Sequence, residues 1–219
     1  EYMDHVSDTI YAAFKVKVTN FDIIKGADVI IWTTTPWTIP ANKALAYNAG
    51  LKYVLLEIND NKNFIDRKIV IAKDLLEPFK KDTSIENIKV LNEFLGKDLK
   101  GTICSHPFSK MGYDYDIPML EANFVTTEQG TGIVHCAPSH GPDDFNLCLN
   151  NNIKAIETVD GDGKYTNEIK HFEGLHIFKV NNLIIEKLNE QKNLVTNGKL
   201  THSYPHSWRS KAFDLQEWG

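Results

Sequence analysis

A chain of 219 residues with 42% hydrophobic, 11% aromatic and 24% charged residues has the make-up of an ordinary folded domain, which excludes disorder, collagen-like repeats and a coiled coil. Its 24 Lys and Arg against 29 Asp and Glu leave a net charge of -5, so it lacks the basic surface of a protein that grips nucleic acid on its own. The longest apolar runs, such as Tyr53 to Ile58, are too short for a bilayer, and Glu1 to Asp4 carries no signal-peptide charge.

In chain order, strands are predicted over Ala12 to Val18, Asp28 to Thr34, Lys52 to Ile58 and Lys68 to Ala72, all rich in Val, Ile, Tyr and Thr. In the first, Phe14, Val16 and Val18 share one face and Lys15 and Lys17 the other, the pattern of a half-buried strand. The pattern then predicts a helix over Asp74 to Lys81, strands over Ile117 to Leu120 and Thr131 to Cys136, and a helix over Asp143 to Asn150. A last helix, Asn181 to Gln191, has Leu183, Ile184, Lys187 and Leu188 at a spacing close to 3.6. Asp160-Gly161-Asp162-Gly163 and Asn197-Gly198 read as tight reversals, and the Asn-rich patches at 59–63 and 150–152 as surface loops. Many strands, few helices and no βαβ alternation predict a mainly β, α+β fold: a closed β-barrel core with peripheral helices, in a single domain over 1–219. Three cysteines, Cys104, Cys136 and Cys148, with no CxxC pair support neither a disulfide framework nor a zinc ribbon, so a reducing, cytoplasmic setting is expected.

Two segments carry chemistry. Trp32-Thr33-Thr34-Thr35-Pro36-Trp37-Thr38-Ile39-Pro40-Ala41-Asn42 is a hydroxyl-rich end to an apolar strand, stopped by prolines. Threonine is a good strand former and proline ends strands, but of three consecutive threonines at least one hydroxyl faces inward and needs a hydrogen-bonding partner. The second, Gly130-Thr131-Gly132-Ile133-Val134-His135-Cys136-Ala137-Pro138-Ser139-His140-Gly141-Pro142-Asp143-Asp144-Phe145, reads as turn, strand, loop and helix start. Gly141 suits the cap and Pro142 the first helical position, leaving Asp143 and Asp144 in the first turn. Carboxylates there favour the helix dipole. Successive residues diverge by about 100°, so one acid can face a pocket and hold a cation such as an α-ammonium while the other faces solvent.

Other chemistries fit these residues less well. Ala137 to Gly141 resembles a nucleophile elbow around Ser139, without an oxyanion segment or a parallel α/β pattern. His135, His140 and Asp144 have no metal-binding spacing, so no metal is expected. Asp160 to Gly163 lacks the closing acid of a calcium loop.

Together the two segments resemble the editing domain inserted in class I aminoacyl-tRNA synthetases, of the isoleucyl type. Where the valyl and leucyl types carry TTRPET or TTRPDT, this chain has Thr33-Thr34-Thr35-Pro36-Trp37-Thr38; where they read PAHD after GTGAV, it has His135-Cys136-Ala137-Pro138-Ser139-His140-Gly141. Ser203-Tyr204-Pro205-His206-Ser207-Trp208-Arg209 is similar to the isoleucyl pattern at the exit of the insertion. Neither HIGH nor KMSKS occurs, so the ATP- and Mg-dependent activating site is expected elsewhere, with no cofactor in this domain.

The resemblance implies hydrolysis of valine esterified to the 3′ end of isoleucine tRNA, with valyl-adenylate as a further substrate and the rest of a synthetase as partner in cis. One methylene separates the two amino acids, worth only about 1–3 kcal/mol of selection, so a second sieve is needed. By resemblance, Asp144 would hold the α-ammonium, and His135 would sit beside the side chain and set the size limit. Thr33, Thr34, Thr35 and Asn42 would line the pocket and place the terminal adenosine and the attacking water. Trp32, Gly132, Ser139 and His140 would complete the substrate-binding surface. A docking insertion without catalysis is the competing expectation.

Overall fold

β1 (Tyr2–Val18) runs through the middle of the molecule because its centre is apolar on both faces: Ile10, Ala12 and Phe14 alternate with Tyr11 and Ala13, and all five are buried. A computed structural model describes residues 2–205, with side chains from 5 to 201. β1 pairs antiparallel with β2 (Asp28–Thr33) on one edge, and on the other with β10 (Leu194–Pro205) and, at its far end, β7 (Ile103–Ser105).

The remaining strands are β3 (Ala44–Tyr47), β4 (Lys52–Ile58), β5 (Arg67–Ala72), β6 (Ile88–Leu95), β8 (Asp116–Glu121) and β9 (Ile133–Cys136). Their order is β6-β4-β5-β2-β1-β7-β8-β3-β9, with β10 beside β1. β2–β5 and β3–β8 are parallel. The mainly β fold with peripheral helices is therefore as expected, although the path ends at β6 and β9 instead of closing through a ladder. The segment before β9 is bonded instead to β5, β2 and β4: Ala72 N–H to the Thr131 carbonyl (2.7 Å), the Thr131 hydroxyl to the Ile30 carbonyl (2.6 Å) and the Tyr53 hydroxyl to the Gly132 carbonyl (2.6 Å).

Alternation along the strands fills two cores. Phe14, Val29, Ile31, Leu55 and Val70 face the first, and Ala13, Ile30, Leu56, Ile69 and Ile71 face the second. α1 (Leu76–Thr83) covers the second core through Phe79, whose ring meets Tyr11 edge-on at 5.4 Å. A third, smaller cluster joins Ala44, Ala46, Cys136 and Cys148 beneath α2 (Pro142–Asn150), and α3 (Asn181–Glu190) sends Ile184 and Leu188 into the first.

Four strands lie outside the sequence expectation. β7 is three residues long, β3 is half alanine, and β6 is an edge strand whose exposed Lys89 and Glu93 hide its alternation. In β10 the Asn197-Gly198 pair is not a reversal. It lies opposite Ile10 and Thr9, and the ladder of the long β1 outweighs the local turn preference. Likewise Val18, expected on the buried face of β1, is exposed, since the strand has left the core there. Asp160 to Gly163 does form a tight turn, in which the Asp160 carboxylate accepts from the backbone of Asp162 and Lys164. The three cysteines are free and buried. No helix among the described residues is long and apolar enough to cross a membrane. His206 to Arg209 of the exit motif lie outside the described residues.

Candidate functional site

β2 ends at Thr33, on the first-core face, because Pro36 cannot continue the ladder; the chain turns into a 3-10 segment over Pro36–Ala41. The turn is tied locally: Thr35 N–H donates to the Thr33 hydroxyl (3.1 Å), the Thr33 and Thr35 hydroxyls are 3.1 Å apart, and the Thr38 hydroxyl donates to the Thr35 carbonyl (2.9 Å). Thr35 and Thr38 are buried, their hydroxyls 3.3 Å apart, whereas Thr34 is half-buried with no hydroxyl partner among the described residues.

β9 brings His135 against this turn. Its Nε2 lies 2.8 Å from the Thr38 hydroxyl, and its Nδ1 accepts from Asn42 Nδ2 at 2.7 Å. The same Asn42 nitrogen donates to the Ala44 carbonyl (3.0 Å), which fixes the amide orientation. Nδ1 is thus an acceptor and the ring proton sits on Nε2, so the ring is neutral. Burial pushes the His135 pKa down to about 3, with the nearby His140 adding to the effect. With both nitrogens engaged, His135 has no lone pair to offer a reacting proton. The Asn42 side-chain oxygen is buried without a hydrogen-bond partner among the described residues.

α2 starts as its sequence predicts, with Gly141 as cap and Pro142 at the first position. Asp143 faces solvent and Asp144 is buried. Asp144 Oδ2 accepts from Ala137 N–H (3.0 Å), tying the helix start to the end of β9. Desolvation raises its pKa to about 6, opposed by that N–H and aided by Asp143. No Lys or Arg among the described residues pairs with it.

The structure therefore joins Thr33, Thr35, Asn42 and His135 in one network, with Asp144 at the far end of the short β9–α2 connection. Thr38 joins them too, although spacing alone did not single it out. A hydroxyl inside a proline-flanked turn and a histidine 97 positions away were the signal, and only the fold pairs them. The other candidates have different surroundings. Trp32 points to the opposite face of β2 and packs with the second core. Gly132, at φ +77°, passes so close to β5 that a Cβ would come within 2.4 Å of the Ala72 Cβ. Ser139 donates to the Ile156 carbonyl, and His140 pairs with the Thr158 hydroxyl (2.7 Å) while its ring meets Trp37 edge-on at 4.9 Å. Burial holds His140 neutral, its pKa lowered to about 4. Ser139 and His140 line a cleft of about 470 Å³ with Pro138, Pro142, Phe145 and residues 155–159. Among the described residues Ser139 makes no hydrogen bond to a histidine.

The sequence model of the family described as "Leucyl-tRNA synthetase, editing domain" matches residues 19–193. The chain is 68% identical over 212 residues to the isoleucine–tRNA ligase of Pelagibacter ubique (strain HTCC1062), covering 97% of this chain and 23% of that protein. It is 42% identical over 229 residues to that of Gluconobacter oxydans (strain 621H), covering 97% and 24%. It thus spans about a quarter of the length of these curated relatives. Among solved structures, the crystal structure of GlLeuRS-CP1 superposes with a TM-score of 0.64 at 14% identity, over 86% of this chain and 99% of that one. The P. falciparum cytosolic leucyl-tRNA synthetase editing domain does so with 0.63 at 12%, over 87% and 98%. At those identities the likeness is one of fold.

Proposed function

The chain belongs to the aminoacyl-tRNA synthetase editing domains, of the isoleucine–tRNA ligase kind, and from that premise we propose that it hydrolyses valine from mischarged isoleucine tRNA, with valyl-adenylate as a second substrate. In this reading residues 1–219 are one editing unit, working in the cytoplasm. Activation with ATP and Mg belongs to other parts of the whole protein, and the editing step needs no cofactor.

What supports the reading is a neutral His135 held at both ring nitrogens and, across the short β9–α2 connection, a buried Asp144 that no Lys or Arg among the described residues meets. A carboxylate out of water with one N–H donor gains most from a cation that arrives with the substrate, and an α-ammonium supplies it. His135, held at both nitrogens, is suited to act as a wall, because it cannot swing aside for an extra methylene. Overpacking a filled pocket costs about 1–3 kcal/mol, the size of the discrimination that remains to be made. The unpartnered Asn42 oxygen is an acceptor for a substrate hydroxyl. The Thr33, Thr34 and Thr35 hydroxyls orient water at the strand end. An aminoacyl ester is activated by its own ammonium and neighbouring ribose hydroxyl, so orienting one water supplies much of the rate.

The test is deacylation of valyl- and isoleucyl-tRNA(Ile) by the full-length protein. Loss of valine alone supports the reading, and no turnover of either ester returns the chain to the docking alternative.

A further inference from the structure

The 3-10 segment Pro36–Ala41 carries Thr38 and leads into Asn42, so the position of the His135 ring depends on a stretch of chain outside any sheet ladder. Two of its carbonyls and that of Asn42 are nonetheless each bonded by a side chain from a different part of the sequence. The Tyr165 hydroxyl donates to the Trp37 carbonyl (2.6 Å) from 128 residues away. His106 Nε2 donates to the Ile39 carbonyl (2.9 Å) from 67 residues away, its Nδ1 accepting from Phe108 N–H, so the proton must be on Nε2. The Tyr115 hydroxyl donates to the Asn42 carbonyl (3.0 Å) from 73 residues away. Tyr165 and His106 are fully or almost fully buried.

We propose that Tyr165, His106 and Tyr115 are positioning residues that clamp the carbonyls of Trp37, Ile39 and Asn42 and thereby set where Thr38 and Asn42 hold the His135 wall. The three donors bracket the two residues that grip His135: Trp37 and Ile39 flank Thr38 in sequence, and the Asn42 carbonyl belongs to the residue whose amide bonds Nδ1. Burial keeps His106 neutral, so its arm of the clamp does not titrate at ordinary pH. Each donor is directional, and at Ile39 the His106 bond adds to the one that the carbonyl already accepts from Asn42 N–H (3.0 Å). The clamp thus fixes rotation of the segment as well as its depth. Tyr113 offers a built-in control: it lies in the same aromatic layer, stacked on His106, but its hydroxyl bonds the Lys170 carbonyl (2.7 Å), outside the clamped segment.

The proposal rests on the editing reading for its kinetic arm only. In the full-length protein, Tyr165→Phe removes one oxygen. It should lower kcat for valyl-tRNA(Ile) deacylation about tenfold with KM unchanged, and should speed hydrogen–deuterium exchange of the backbone amides at 38 and 42 at least tenfold. Tyr113→Phe should lower the melting temperature by a similar amount and change neither. Equal effects of the two variants on exchange and on kcat would overturn the clamp. If the parent itself shows no deacylation, the editing reading fails and the exchange arm alone decides the proposal. Should Tyr165→Phe not fold, Tyr115→Phe takes its place with the same two outcomes.

Discussion

The two ends of β2 solve the burial of polar groups in opposite ways. At Asp28 the carboxylate is fully buried and Arg67 meets both its oxygens, Nε to Oδ2 at 3.0 Å and Nη2 to Oδ1 at 2.9 Å, with Lys15 a further 3.8 Å away. The remaining guanidinium donors reach the Asn63 and Lys192 carbonyls and the Asn193 side chain, and Phe64 lies beneath the plane. At Thr33 the network is neutral throughout, threonine to threonine to histidine to asparagine. It ends in an Asn42 oxygen with no hydrogen-bond partner among the described residues, and Asp144, beyond the β9–α2 connection, has no cation among them either. At the first end the charge of the carboxylate is met within the chain, although Oδ1 faces Arg67 as an ion pair without a hydrogen bond. At the second end no cation among the described residues meets the carboxylate, and it is this missing charge that the proposed reading assigns to the substrate.

Substitutions can break that contrast. The largest effect is expected at the open end: Asp144→Ala should reduce deacylation by about a thousandfold with the fold retained, since it removes the charge that meets the ammonium in a water-poor pocket. Asp143→Ala, on the solvent side, should be mild. The parent rate should rise as pH passes through about 6, where Asp144 ionises, and level off above. Retained activity in Asp144→Ala would show that the open end lies elsewhere. At the closed end the cost should be in stability. Asp28→Ala leaves the largely buried Arg67 guanidinium without its carboxylate and should destabilise by about 3 kcal/mol or more in urea unfolding, with kcat unchanged in what stays folded.

A smaller effect sharpens the role of His135. His135→Ala opens room for about one methylene, so isoleucyl-tRNA(Ile) should become a substrate, at about 1–3 kcal/mol of lost discrimination, while valine release survives. A parallel fall for both esters would mean a base instead of a wall. Linkage gives a subtler effect. Asp144 binds its proton more readily folded than unfolded between pH 3.8 and about 6, so its contribution to stability is present below 3.8 and lost as pH rises through 6. Asp144→Asn should therefore melt a few degrees above the parent at pH 8 and not at pH 4. The same exchange at Asp28 should lower the melting point at pH 8. Least of all, Ser139→Ala should stay within about twofold of parent activity, and a serine-directed reagent should leave the protein unlabelled, because that hydroxyl bonds the Ile156 carbonyl.

Much of this was legible in the chain itself, for identifiable reasons. Lys52 to Ile58 is a strand to the residue, because its apolar run is buried and bounded by turns. The start of α2 follows from Gly141-Pro142, whose backbone preferences need no tertiary help. Asp144 against Asp143 could be told apart only as alternatives, since a 100° step says that one acid turns inward without saying which. Thr38 stayed hidden because its importance depends on β9 lying across the 3-10 turn, a contact with no local signature. Trp32 and Gly132 belong to the motifs by sequence, yet strand alternation sends one to the other face and close strand approach claims the second.

That close approach makes Gly132 a shim of zero thickness. Thr33 stands on β2 and His135 on β9, two strands that share no ladder, and the spacing between their supports is taken up where Gly132 slides past Ala72. A single added methyl would sit 2.4 Å from the Ala72 Cβ, when real Cβ contacts do not fall below 3.0 Å, and would have to wedge the strands apart. The separation of Thr33 from His135 is thus gauged three residues upstream of His135, by a side chain that does not exist. Changing that separation need not touch either residue.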